Sequence, residues 1–247
     1  MTKISETGHA KNVANLEDLT NIVISFGPAY NPSRDSIRPA ALQTALANAK
    51  ICMADYHNAA SHYTLAAAER ETAFEPTNKL TTRMLNALKA TDTTSNVDDT
   101  AHSLARKIRG ERATAIKEVA PTVAGESTDT ETKHISSAQT SYDNRLDNLD
   151  KFIIHLQNIP KYAPNEIELQ PGSVRAKFED MKLKNNQAKQ AAIALSSTRI
   201  ARDKVLYEPI TGITDLAFDV KTYVKSLFGA TSREYRQVSG LEFKTVK

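Results

Sequence analysis

The chain has 247 residues with a formal net charge of +3, an ordinary charged fraction of 25%, 6% aromatics, no Trp, eight Gly and one Cys. Long runs of Ala, Leu, Lys and Gln with so few turn formers point to an all-α protein. A pI near 8.8 is too mildly basic for a dedicated nucleic-acid binder. The single Cys52 excludes an intrachain disulfide or a multi-Cys metal cluster.

In chain order, residues 1–12 are polar, without the apolar core of a signal peptide, and are expected to be a flexible N-terminus. The spacing of Leu16, Leu19, Ile22, Val23 and Phe26 predicts a helix from Val13, with Asn15 as N-cap and Gly27-Pro28 as its stop. Pro39 suits the first turn of a long helix. From there Leu42, Leu46, Ala49, Met53, Tyr56, Ala60, Tyr63, Ala67, Arg70 and Phe74 alternate steps of four and three. That is a period of 3.5, the seam of helices packed side by side. Glu75-Pro76 ends it, and short helices follow over 79–90 and 97–109, the second closed by Gly110. Residues 119–134 have no periodicity and read as a linker.

The plan then returns. Tyr142, Leu146, Leu149, Ile153 and Leu156 mark a helix; Pro160 and Tyr162 match Pro28 and Tyr30; Pro171 falls on Pro39 and Arg202 on Arg70, all at an offset of 132. The second seam transposes to Val174, Phe178, Met181, Asn185, Ala188, Ala192, Leu195, Arg199, Arg202 and Leu206, and one inserted residue brings Glu208-Pro209 onto Glu75-Pro76. A closing helix runs over 214–228. The expected fold is an elongated all-α bundle of two tandem helix–long helix–helix repeats with coiled-coil-like seams, residues 13–118 and 135–229, followed by a tail over 230–247. That tail is expected to make one turn at Tyr235 and then run extended through Leu241 and Phe243.

Three stretches resemble a group of helical proteins common in flavobacteria and their relatives: Ile4 to Asn15, the Tyr30-Asn31-Pro32-Ser33 loop, and Phe228 to Ser232 with Gly240-Leu241 downstream. The resemblance implies a helical protein. No activity, cofactor or catalytic residue attaches to the group.

The residues that could carry chemistry do not assemble into a known pattern. His9, His57, His62, His102, His134 and His155 include no pair at ligand spacing: His57 and His62 are five apart, about 140° around a helix. Cys52 has no local base or orienting group. Gly-rich phosphate loops, the Gly-x-Ser-x-Gly elbow, His-Glu-x-x-His and the Glu-x-x-His of di-metal bundles are missing. The reading is of a protein that is not an enzyme and needs no cofactor or metal.

Arg106, Lys107, Arg109 and Arg112 form a basic cluster, echoed by Lys221 and Lys225, that could meet an anion or an acidic partner. Cations at a helix C-terminus also suit the dipole, and that reading is preferred. Arg70 and Arg202 sit on the seams, where a guanidinium needs a partner; each is expected to pair with a carboxylate on a neighbouring helix and fix register. The function expected is a structural or protein-interaction bundle, with itself as a candidate partner, in the cytoplasm, with no transmembrane segment and no nucleic-acid role. The alternative is a membrane-active, pore-forming-like bundle that rearranges to insert amphipathic helices, with the membrane surface as its partner.

Overall fold

The computed structural model describes residues 6–111 and 141–244; the expected linker, Arg112 and His134 lie outside these residues. Among the described residues there are eight α-helices and no strand: α1 Glu6–Ser25, α2 Pro39–Phe74, α3 Thr77–Lys89, α4 Ser95–Arg109, α5 Tyr142–Gln157, α6 Pro171–Tyr207, α7 Ile213–Phe228 and α8 Arg233–Ser239. The expected all-α class is the observed one.

Local chemistry accounts for the helix ends. Pro39 and Pro171 begin the two long helices, at the position where a missing N–H costs nothing. Ser141 caps α5 by accepting the Asn144 amide at 3.2 Å, and Ser232 caps α8 by accepting that of Tyr235 at 3.0 Å. Gly110 ends α4 in the left-handed region, at φ 74°.

Two expectations at the N-terminus are corrected. Residues from Glu6 onward are helical rather than flexible, and Asn15 lies inside α1 instead of capping it. The inward face of α1 is His9, Asn12, Leu16, Leu19 and Val23, spaced three and four like the rest. Its first two members are polar, so a search for apolar periodicity starts the helix too late.

The first seam is buried or half-buried at all ten expected positions. The second departs at two: Ala192 and Arg199 are exposed, while Ala191 and Thr198 are half-buried. From Ala188 to Leu195, and again from Leu195 to Arg202, the steps run three then four instead of four then three, which moves the inward residue by one position each time without changing the average period.

The chain forms two compact units whose boundaries cut across the expected repeats. The first joins Met1–Thr64 to Gln190–Lys247; the second is Leu65–Lys189. Each therefore contains the beginning of one long helix and the end of the other.

The first unit packs Leu16, Leu19 and Val23 of α1, Leu42, Ala49 and Met53 of α2, Leu206 of α6, Ile213 to Val224 of α7 and Val238 of α8 into its core. The second packs Phe74, then Met84 and Leu88 of α3, Ala105 and Ile108 of α4, Leu149 to Leu156 of α5, and Val174, Phe178 and Met181 of α6. Both units use the same device before their long helix. The Tyr30 hydroxyl donates to the Ile37 carbonyl at 2.9 Å, and the Tyr162 hydroxyl to that of Leu169 at 3.0 Å. Both tyrosines are buried, and burial raises their ionisation above the ordinary range, Tyr162 to about 12 and Tyr30 further.

Candidate functional site

A dense long-range polar cluster lies in the first unit, where α1 meets the end of α6 and the segment after α8. His9 and Asn12 are one turn apart on the inward face of α1, exposed by only 4% and 0%. A 2.7 Å hydrogen bond joins His9 Nδ1 to the Tyr207 hydroxyl, and the two rings are tilted with centroids 5.6 Å apart. Asn12 Nδ2 donates to that hydroxyl at 3.2 Å and to the Lys244 carbonyl at 2.8 Å. Asn12 Oδ1 accepts the Lys244 amide at 2.9 Å. One amide side chain thus pairs with both backbone groups of Lys244, as a neighbouring strand would.

Two more side chains extend this pairing along the segment. Asn15 Nδ2, nearly one turn further on, donates to the Glu242 carbonyl at 2.6 Å. From α7, the Lys221 ammonium donates to the Leu241 carbonyl. Residues 241–244 alternate half-buried and exposed, with Leu241 and Phe243 inward. Phe243 packs on both apolar clusters of the unit, and its ring lies 5.3 Å from Lys221 Nζ. Burial pulls the Lys221 ammonium below its ordinary range, against the opposing field of Glu242. The arrangement binds an extended backbone. It has amide donors and acceptors matched to peptide groups, and its apolar contacts fall on alternate residues.

The sequence-predicted residues fall elsewhere. Arg202 is buried, as a seam residue should be; it bonds the neighbouring Asp203 at 2.8–2.9 Å, and its guanidinium stacks on Tyr56 at 4.6 Å. Arg70 is half-buried with its guanidinium 4.0 Å from the centre of the Tyr142 ring, and its Nε is buried without a hydrogen bond. Both guanidiniums lie over aromatic rings, an arrangement a planar guanidinium makes without the exacting geometry of an ion pair, and the Arg70 charge helps hold the Asp143 carboxyl of α5 below the usual range, behind the hydrogen bond from Lys189.

In the basic cluster, Arg109 is committed to its own surroundings. It holds Glu111 with two bonds of 2.8 Å and Thr82 with one of 3.2 Å. The Arg109 guanidinium in turn holds the Glu111 carboxyl below the usual range. Arg106 and Lys107 occupy the last turn of α4 beside it, half-buried, and Arg106 Nε is buried without a hydrogen bond. Lys225, the other basic residue of α7 singled out in sequence, lies 5.9 Å from the Tyr235 ring.

Of the other candidates, burial and the nearby Asp55 push the half-buried Cys52 thiol up, away from thiolate reactivity. His57, His62 and His102 are exposed, and His155 Nε2 lies 3.1 Å from the Val97 carbonyl. Among the described residues no three His, Cys, Asp or Glu side chains come together as a metal site, and no helix is long and apolar enough to cross a membrane. In the second unit a cavity of about 440 Å³ lies beside Thr77, Leu80 and Met181. Lys177 and Asp180 also line it; its buried Thr77 hydroxyl is turned to the Met181 sulfur at 3.9 Å, and the Thr77 carbonyl accepts from Thr81.

The sequence reading missed His9, Asn12 and Asn15 as site residues. Their three-residue spacing was visible, but polar side chains on an unrecognised helical turn carry no apolar signal. The alternation at Leu241 and Phe243 was visible and marked the extended segment without naming what holds it.

No protein-family model matches the chain, and no curated protein or solved structure matches it. The resemblance to the flavobacterial group rests on the residues quoted for it.

Proposed function

We propose that this chain is a non-enzymatic, protein-interaction helical bundle that associates with further copies of itself through the outer faces of its long helices. One observation carries the reading. In the first unit α2 exposes Ala47, Ile51, Ala54, Asn58 and Ser61, again at alternating steps of four and three. The part of α6 in that unit exposes Gln190, Ile193, Ser197 and Ile200 at the same steps. These are second seams with no charged member, outside the buried ones.

Ile51, Ile193 and Ile200 are 58%, 67% and 69% exposed. Burying such a side chain contributes about 1.5–3 kcal/mol, so a few of them offset much of the entropic cost of association. Charged residues would be expected at these positions on a helix that stays solvated. The same reading takes the chain as a tandem duplication, supported by the paired Tyr30 and Tyr162 bonds and the matched Pro39 and Pro171 starts.

Light scattering over a wide concentration series tests it. The weight-average mass is expected to rise above the 27.2 kDa of one chain, and Ile193→Glu with Ile200→Glu is expected to hold it there. A wild-type chain that stays at the monomer mass throughout removes the reading. Dye release from liposomes by the same protein would favour the membrane-active alternative.

A further inference from the structure

We propose that the groove between α1 and α7 is a binding site for an extended peptide, filled within one chain by residues 241–244 and, in an assembly, by the same segment of a second copy. The trans partner rests on the self-association reading; the groove itself does not.

The groove's chemistry is the first argument. The hydrogen bonds that Asn12, Asn15 and Lys221 make to the segment go to its backbone groups, at Lys244, Glu242 and Leu241. Such bonds form equally well with a segment arriving from another chain. Selectivity comes from Leu241 and Phe243, the two inward side chains, so the ligand is an extended segment with large apolar residues two apart. A second copy supplies that pattern by construction.

The tether is the second argument. α8 has seven residues, too few to be a stable helix alone; among those described only Val238 is buried, at 0% exposure, with half-buried Tyr235 packed beside it. α7 ends at Gly229, whose φ of 89° suits glycine and around which an added Cβ would meet nothing within 4 Å. The chain therefore has an open joint at Gly229, and residues 230–244 form an arm beyond it. Fully extended, about 15 residues span roughly 50 Å, enough to reach another copy. Exchange re-forms every bond it breaks, which is why arm swapping is a low-cost route to dimers.

The experiment uses full-length chains in the Ile193→Glu, Ile200→Glu background, where the outer faces cannot contribute. One partner carries Phe243→Ala, with an intact groove and a weakened arm; the other carries Asn12→Ala, with an intact arm and a weakened groove. Mixing them is expected to give a one-to-one complex by native mass spectrometry that neither forms alone, and no complex on mixing overturns the trans exchange.

A labelled peptide of residues 230–244 tests the groove separately. It is expected to bind the Phe243→Ala chain about tenfold tighter than the parent, whose own arm competes, and to lose about tenfold when Asn12→Ala is added. Equal binding by all three overturns the groove. Should Phe243→Ala fail to fold, hydrogen exchange at the Lys244 amide of the wild-type chain decides: excess peptide is expected to accelerate it, and an unchanged rate overturns the proposal. A chain that takes the peptide but never self-associates retires the outer-face reading and leaves the groove standing.

Discussion

The end of each long helix carries a different solution to the same packing problem. In the first unit α6 closes on Tyr207, whose hydroxyl meets His9 and Asn12 of α1. In the second, α2 closes on Phe74, whose ring meets Tyr142 of α5 edge-on at 4.8 Å with the Arg145 guanidinium 5.5 Å from its centre. Tyr142 and Arg145 lie 133 positions after His9 and Asn12, and both pairs are three apart on the first helix of their half.

The aromatic version seals its unit with rings. The polar version keeps amide and hydroxyl groups in the core, and they have a use: the Asn12 amide is what holds the backbone of Lys244. A buried asparagine in place of an arginine–aromatic stack is the difference between a packed corner and a peptide clamp.

The largest effect that would sharpen this contrast is at Phe74, 1% exposed. Phe74→Ala is expected to destabilise by about 3–5 kcal/mol in denaturant unfolding, against about 1–2 kcal/mol for Tyr207→Phe, which keeps the ring and loses only hydrogen bonds. Equal costs would mean that the hydroxyl node packs as tightly as the aromatic one.

The two seam arginines come next. Arg202→Met breaks charge-assisted bonds to Asp203 and is expected to cost about 1.5–3 kcal/mol. Arg70→Met, which replaces a guanidinium whose Nε is unpaired, is expected to be nearly neutral. The reverse order, from thermal or chemical melts, would break the comparison and restore a register role to Arg70.

A smaller effect separates the two turns. After α2 the chain turns at Glu75-Pro76 directly into α3, whereas after α6 Ile210 adopts φ 72°, 69% exposed. A β-branched residue there is strained by about 1–2 kcal/mol, so Ile210→Gly is expected to stabilise by about 0.5–1 kcal/mol after the entropy cost of glycine. A loss of stability would show that the exposed Ile210 side chain has contacts of its own.

Last and smallest, ultraviolet titration should find Tyr30 and Tyr162 ionising late. Each pKa is raised on folding, so the stabilisation is complete below the ordinary tyrosine value of about 10 and declines as pH rises toward the folded value, about 12 for Tyr162. Tyr162→Phe and Tyr30→Phe should each remove one late step. Loss of only one would mark the two loops as unlike.

Much of the helical architecture was legible because its signals are local. Pro39, Pro171, Gly110 and the 3.5-residue seam each act within a turn or two of helix. The division into units was not, since it depends on which halves of α2 and α6 share a core, and no spacing along one helix encodes that. The site was mostly hidden for a related reason. Asn12 and Lys244 are joined by a hydrogen bond across nearly the whole chain, and a buried asparagine looks in sequence like a surface one. Arg70 and Arg202 were legible as seam cations, but the aromatic rings they stack on, Tyr142 and Tyr56, look in the sequence like ordinary core.

The cut across the repeats also sets an order of events during synthesis. The second unit is one continuous stretch, Leu65–Lys189, and can close soon after its last helix leaves the ribosome. The first unit needs residues from Gln190 onward, so α1, which ends at Ser25, waits while about 165 further residues are made, on the order of 10 s at typical elongation rates. Through that interval Leu16, Leu19 and Val23 have no completed core to enter. α1, made before the second unit, is thus housed after it, and the nascent chain presents an amphipathic helix for a chaperone or a neighbouring nascent copy to meet first.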